Sequence, residues 1–525
     1  MPTVIVLIVL LLALTYLAIA VFSKKKKKKS DGKKLPPAPK WRLPVIGHAA
    51  YLDKDKPFEQ IDKWSKELGD VMTVHFGMDP VIVVSRERLL NEAFLKKSSN
   101  FSGRPSLFVH ESCWGKGLVI RDGKEALSLR SFIMSTIRQR IVSSADCIQS
   151  LVSTETSHLI ERLTARIRDA EASTSSASES FATTSTMTSS FATTSIEDDL
   201  FYVVGNVMTQ LAFGRRYDHG SVEFRNNASW LTTTTELMQR TAMITFLPWL
   251  RWIPYFKYFE IKRKAAEVHA TMIDDIQIRR KSGDYLNHSQ HDLMSVFMRR
   301  IDEEAERIKL EDDGSLFTDD MLARIMTELF FAGIQTECNT FGWAFLYLAI
   351  HQDVQEKARQ HIWNEIGREG EIRFENRRNL PYIEALVAEV QRIANVAPFG
   401  LFHKNHEETT LDGYTIPAGS IVMMNLYSTL LDESVFEDPR SFLPERFLSP
   451  SGELDQRAMK RSVPYGVGSR VCMGEIIART ELFTVIGSLL QKFRFSLIEG
   501  EEYSTEQKMQ LTIQSKKYRL RIDLA

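Results

Sequence analysis

Cysteine is scarce in this chain: four residues in 525, at positions 113, 147, 338 and 472, no two of them close together. Thiols this sparse exclude a disulfide framework, which needs denser, paired cysteines, and a zinc site, which needs Cys or His ligands at short spacings. Net charge is lacking too. Lys plus Arg and Asp plus Glu number 67 each, so the total carries no electrostatic footprint for nucleic acid. No repeat of solenoid length occurs, and no glycine fingerprint marks a flavin or nicotinamide site. With 43% hydrophobic and 26% charged residues, what remains is an ordinary globular composition with material for a large core.

Long hydrophobic runs are rare as well, and the exception stands at the start. Residues 3–22, TVIVLIVLLLALTYLAIAVF, carry no charge and are long enough to span a bilayer core as a helix. Lysines fill 24–29 and recur at 33 and 34. By the positive-inside rule, that flank and everything after it lies on the cytoplasmic face. The rival is a signal peptide cleaved at Ala18-Ile19-Ala20, but the apolar run is long for one and no basic residue precedes it. The expectation is a membrane signal anchor over 1–23. Sequons at Asn100, Asn227 and Asn287 test it, because glycans there would place the domain in the lumen. Residues 24–48 are basic and then proline-rich (LPPAPKWRLPVIGH), which no helix tolerates, and read as a stiff linker.

From residue 49 onward apolar periodicity predicts helices over 141–170, 319–350, 381–395 and 474–493. Strand-like pieces are few: 71–76, 81–85, part of 412–425 and the C-terminus. The expected fold class is mainly α with a small β portion (α+β), in one domain over 49–525. Residues 173–195 contain SFATTS twice and little to bury, and are expected to form a disordered Ser/Thr-rich surface insertion.

One short stretch concentrates chemistry: PYGVGSRVCMGE, residues 464–475. Cys472 precedes an amphipathic helix, where the helix dipole and free amide groups favour a thiolate and lower its pKa. Gly466, Gly468 and Gly474 permit tight backbone and close approach of a flat partner. Arg470 adds a fixed positive charge. On these grounds alone Cys472 is either a soft metal ligand or a reduced cysteine in a glycine turn.

The spacing Tyr465-x-x-Gly468-x-Arg470-x-Cys472-x-Gly474 resembles the haem-binding loop of the cytochrome P-450 family, with Tyr in place of the leading Phe. Two further motifs follow the family's order. Glu389-Val-Gln-Arg392 resembles its E-x-x-R, and Pro444-Glu445-Arg446-Phe447 its PERF element, so that Glu389, Arg392 and Arg446 would form a buried structural triad. Ala332-Gly333-x-x-Thr336 resembles the family's central-helix motif, although Gln335 stands where an acid usually precedes the threonine. The resemblance implies the cytochrome P-450 fold, haem b as cofactor, Cys472 as its thiolate ligand and a small Ala332-Gly333 pair leaving room over the haem. Thr336 would act in proton delivery, through ordered water, with Gln335 and Glu337 beside it.

Around the haem, Arg470, Arg130, Arg104 and His403 would hold the propionates. Ala126 replaces the tryptophan of a W-x-x-x-R helix. By analogy the substrate pocket draws on 108–120, 330–333, 396–402 and 510–512. The implied activity is monooxygenation of a hydrophobic small molecule (steroid, lipid or xenobiotic) in the endoplasmic reticulum membrane, catalytic domain cytoplasmic. NADPH-cytochrome P-450 reductase, and cytochrome b5, are the implied electron donors. Arg138, Arg140, Lys460 and Arg461 are candidates for their docking face. A reductase-independent isomerase or dehydratase acting on a peroxide is the alternative.

Overall fold

The computed structural model describes residues 33–142, 147–178, 192–311 and 315–525. The expected anchor at 1–23 lies outside the described residues, and among those described no helix is long and apolar enough to cross a membrane. In chain order the elements used below are α1 (Pro57–Leu68), β1 (Val71–Phe76), β2 (Asp79–Val84), α2 (Phe108–Trp114), α3 (Gly123–Val142) and α4 (Ile148–Ser178). There follow β3 (Ala192–Thr194), α5 (Ile196–Phe213), α6 (Val222–Thr241), α7 (Tyr258–Ser282), α8 (Asp319–Ile350) and α9 (Pro381–Ala394). The last are β4 (His403–Lys404), β5 (Ile421–Met424), α10 (Gln456–Arg461), α11 (Glu475–Lys492), β6 (Phe493–Leu497) and β7 (Leu520–Leu524). The architecture is mostly helical with small sheets, as the periodicity predicts.

The 32-residue α8 is the axis. Its start is set by Thr318, whose hydroxyl accepts from the Met321 amide at 3.1 Å, with Asp319 and Asp320 complementing the dipole in the first turn. Its second half is apolar on every side, so it is wrapped by other elements. Against α5 the contact is close. A Cβ on Gly333 would come within 2.6 Å of Met208 Cε. The glycine expected to leave room over a haem thus has the Met208 side chain lying over it, while Ala332 beside it is exposed.

Two sheets frame the helices. β1 and β2 pair antiparallel, β2 pairs parallel with β5 (Val81↔Ile421 to Val84↔Met424), and β4 closes the edge. The second sheet orders β3–β7–β6. This corrects the borders of the expected insertion at 173–195. α4 continues as helix through Ser178, and β3 pairs Thr194 with Leu520. Arg166 explains the second border: it donates to Thr194 Oγ1 and to Asp199, both at 2.8 Å, fixing a β-branched segment suited to a strand. Residues 179–191, the remainder of the insertion, lie outside the described residues.

Candidate functional site

The loop before α11 is shaped by two left-handed glycines. Gly466 has φ +72° and Gly468 φ +87°, and a Cβ on Gly468 would collide with the Phe94 carbonyl. The Cys472 amide donates to the Tyr465 carbonyl at 3.1 Å and closes the loop. Cys472 is exposed, yet the protein packed around it desolvates the thiol and raises it. The Gly474 amide and Arg130 pull the pKa the other way without prevailing. The expected lowering by the helix N-terminus therefore does not win: desolvation outweighs one amide and one guanidinium.

Tyr465 is the motif's departure from the family, and the structure accounts for it. Gln391 on α9 donates from Nε2 to the phenol oxygen, satisfying a hydroxyl that would otherwise be buried unpaired.

Three arginines converge beside Cys472. Arg104 donates from Nε to the Val119 carbonyl (3.1 Å) and from Nη1 to the Phe402 carbonyl (2.6 Å). Arg470 donates to the carbonyls of Ser102 and Arg121, each at 2.9 Å, and Arg130 to that of Val471. Among the described residues, the carboxylate paired with this cluster is Asp122, 4.0 Å from Arg470. Burial, then the Arg470 and Arg130 charges, push Arg104 down to about 9. Burial also lowers Arg470 and Arg130. Each arginine keeps a guanidinium nitrogen with no hydrogen bond to the described residues. Such a cluster calls for anions. His403 contributes differently. Its Nδ1–H donates to the Phe101 carbonyl at 2.9 Å, and burial with Arg104 holds the ring neutral, its pKa near about 3. In that form Nε2 carries no proton to offer an anion.

α8 comes close enough for the Glu337 charge to act on the Cys472 thiol, and it carries exposed Ala332 and half-buried Thr336. The Thr336 hydroxyl donates to its own helix at the Ala332 carbonyl, 2.6 Å away. Gln335 is turned aside: Nε2 donates to Asn339 Oδ1 (3.1 Å), and Asn339 Nδ2 to Thr512 Oγ1 (2.7 Å). Glu337 is turned aside as well. It is 4% exposed, leaves one oxygen without a partner, and shares its surroundings with Glu481 on α11, 2% exposed. Burial raises both carboxyls well above their ordinary range, with the Glu481 charge adding to the shift at Glu337. Glu481 escaped the sequence reading, although an acid among apolar residues in α11 was a visible signal. Only the α8–α11 packing shows what it faces. Phe330, expected in the pocket, packs instead against Phe213 and Trp230.

Behind the site, Glu389 and Arg392 are wholly buried and form a two-pronged pair at 2.7 and 2.8 Å. Glu389 also accepts from Arg446 Nε at 3.1 Å and from the Leu443 amide at 2.9 Å. The remaining guanidinium protons reach the carbonyls of Leu430, Pro439, Ser441, Glu437 and Asp438. This network anchors 430–446 to α9.

A soft sulfur, three underused guanidinium groups beside it and a neighbouring helix bearing Ala332 and Thr336 define a site suited to a metal chelate that carries carboxylates. The cytochrome P450 family model matches residues 36–522, and the chain belongs to that family of monooxygenase oxidoreductases. The chain is 29% identical to cytochrome P450 1A1 of Rattus norvegicus, over 90% of this chain and 86% of that protein. It is 28% identical to cytochrome P450 1A1 of Homo sapiens (89% and 88%) and 28% identical to cytochrome P450 2U1 of Rattus norvegicus (89% and 86%). The family uses haem with thiolate ligation, a redox partner and hydrophobic substrates. The donor set fits that group: sulfur for iron, arginines for its two propionates.

Proposed function

We propose that this chain is a membrane-anchored haem-thiolate monooxygenase of the endoplasmic reticulum that inserts one oxygen atom of O2 into a hydrophobic small molecule. Electrons come from NADPH through a separate reductase, with cytochrome b5 as a further donor. The observation that carries this reading is the convergence of Arg104, Arg130 and Arg470 beside Cys472. Haem b, when bound, supplies oxygen activation, and a thiolate ligand favours O–O cleavage.

The protein's own contributions follow from geometry. Cys472 would hold the metal and the three arginines would hold its carboxylates. Thr336 holds the one hydroxyl of α8 beside Ala332, while Gln335 and Glu337 point elsewhere. Protons therefore arrive through Thr336 and water rather than from a carboxylate of this helix. Thr336→Ala should lower product formed per NADPH consumed several-fold, about 10²-fold at most for loss of one acid–base group. Unchanged coupling removes the assignment. Turnover of a peroxide without reductase would establish the isomerase or dehydratase alternative.

Exposed Arg138 and Lys460, with half-buried Arg461, make no ion pair among the described residues and support docking of an acidic partner. The Arg140 side chain lies outside the description. An aromatic patch supports the membrane reading: Trp252 and Tyr255 are 67% and 68% exposed, with Trp249 and Phe259 beside them. Contiguous exposed apolar surface of this kind marks an interaction site, here a bilayer. For orientation, Asn100 is uninformative, since its side chain accepts from the His406 and Glu407 amides and donates to the Glu407 carbonyl. Asn287 is exposed. The full chain expressed in cells should show no mobility shift on deglycosylation; a glycan at Asn287 would reverse the topology.

A further inference from the structure

Glu328 lies two turns before Thr336 on α8 and takes no part in the chemistry above. Its Oε2 accepts two backbone amides of the loop after α2: Leu118 at 2.7 Å and Val119 at 3.1 Å. Four residues earlier, Arg324 donates to the Trp114 carbonyl and is itself held by Asp320 at 2.8 and 3.0 Å. The loop approaches α8 so closely that a Cβ on Gly115 would collide with the Arg324 guanidinium, and one on Gly117 with the Glu328 carboxyl. Two side chains one turn apart thus grip residues 114–119.

The other side of that loop is gripped by the cationic cluster. The Val119 carbonyl accepts from Arg104 Nε at 3.1 Å, and the Arg121 carbonyl from Arg470 at 2.9 Å. Val119 is therefore a bridge: its N–H goes to Glu328 and its C=O to Arg104. On the near side the same elements wall a cavity of about 300 Å³, lined among others by His110, Trp114, Trp230, Lys262, Glu328 and Phe331. We infer that Glu328 is a positioning residue that, through the backbone of Val119, sets the placement of the Arg104 guanidinium facing the prosthetic group. This rests on the haem-site reading above.

The physics is that of a buried acceptor. Burial lifts the Glu328 carboxyl to about 7, against the pull of the Val119 and Leu118 amides, Arg324 and Arg121. The site keeps a costly acid because two amides need it. Removing the acceptor strands two N–H groups, and the loop shifts to find others. Leu118 and Ile120, 4% and 6% exposed, hold the flanks, so the shift concentrates at Val119.

The test uses the full-length haem protein, with haem transfer to apomyoglobin and the propionate bending band in resonance Raman spectra as readouts. Glu328→Leu should speed haem loss roughly tenfold, the size expected for coupled neighbours. It should shift the propionate band in the same direction as Arg104→Ala, and the double variant should be no worse than Arg104→Ala alone. Glu328→Gln, which keeps a carbonyl acceptor, should restore both readouts. Gly117→Ala presses on the same contact from the loop side and should mimic Glu328→Leu if that variant does not fold. Unchanged haem loss and band position in Glu328→Leu, or effects that simply add to those of Arg104→Ala, overturn the inference. A parent protein that takes up no haem rejects the haem-site reading instead.

Discussion

Arg392→Ala should yield a chain that does not hold haem at physiological temperature. Glu389 is fully buried, and its oxygens are shared between the two nitrogens of Arg392, Arg446 and one amide. Removing Arg392 leaves a buried carboxylate short of its principal partner and the Leu430 and Pro439 carbonyls short of donors. Breaking a buried pair from one side costs about 3–5 kcal/mol. That is a large share of the 5–15 kcal/mol that typically separates folded from unfolded states. Arg392→Lys should fail almost as badly, since an ammonium cannot reproduce the two-pronged contact with Glu389 while reaching Leu430 and Pro439. The measurement is the denaturant midpoint followed by far-UV circular dichroism, with exposed Arg138→Ala as control. A midpoint for Arg392→Ala equal to that of the control would show that the network contributes no net stability.

Cys472→Ser should abolish the thiolate-type band in the carbon monoxide difference spectrum of the reduced protein while leaving the fold intact. The change removes one soft donor and keeps volume, and Gly474 has room beside it: the nearest atom to an added Cβ there is Cys472 Sγ, 3.8 Å away. The environment adds a second expectation. Because burial raises the Cys472 thiol, the metal-free chain carries it protonated at neutral pH. Metal uptake must displace that proton, so haem binding should release it and strengthen as pH rises toward the thiol's pKa. Proton release on haem addition, absent in Cys472→Ser, checks the sign. A retained thiolate band in the serine variant would move the ligand elsewhere, to a cysteine in other surroundings: Cys147 and Cys338 are buried, and Cys113 lines the cavity beside α2.

Much of the fold was open to reading because local patterns suffice for it. α8, α9 and α11 follow apolar periodicity, and the expected ranges agree with the observed ones within a few residues. The Glu389–Arg392 pair was also legible, since i and i+3 share a helix face whatever surrounds them. The parallel pairing of β2 with β5 was not. Its partners are more than three hundred residues apart, and nothing local specifies which strand comes alongside. The same holds for β3, whose Ser/Thr-rich neighbourhood reads as disorder until β7 supplies its hydrogen bonds and Arg166 its anchor.

At the site the division is finer. By itself the sequence marked Cys472 as the candidate ligand and determined the loop glycines, the ion triad and the missing acid at 335, because each depends on residue type at fixed spacing. Tertiary packing decided which way each side chain turns. It gave Gly333 to Met208, Gln335 to Asn339 and Glu337 to Glu481, and it set desolvation above the helix dipole at Cys472. Burial and orientation depend on what lies across the cavity or the helix interface, and spacing along one chain carries no record of that.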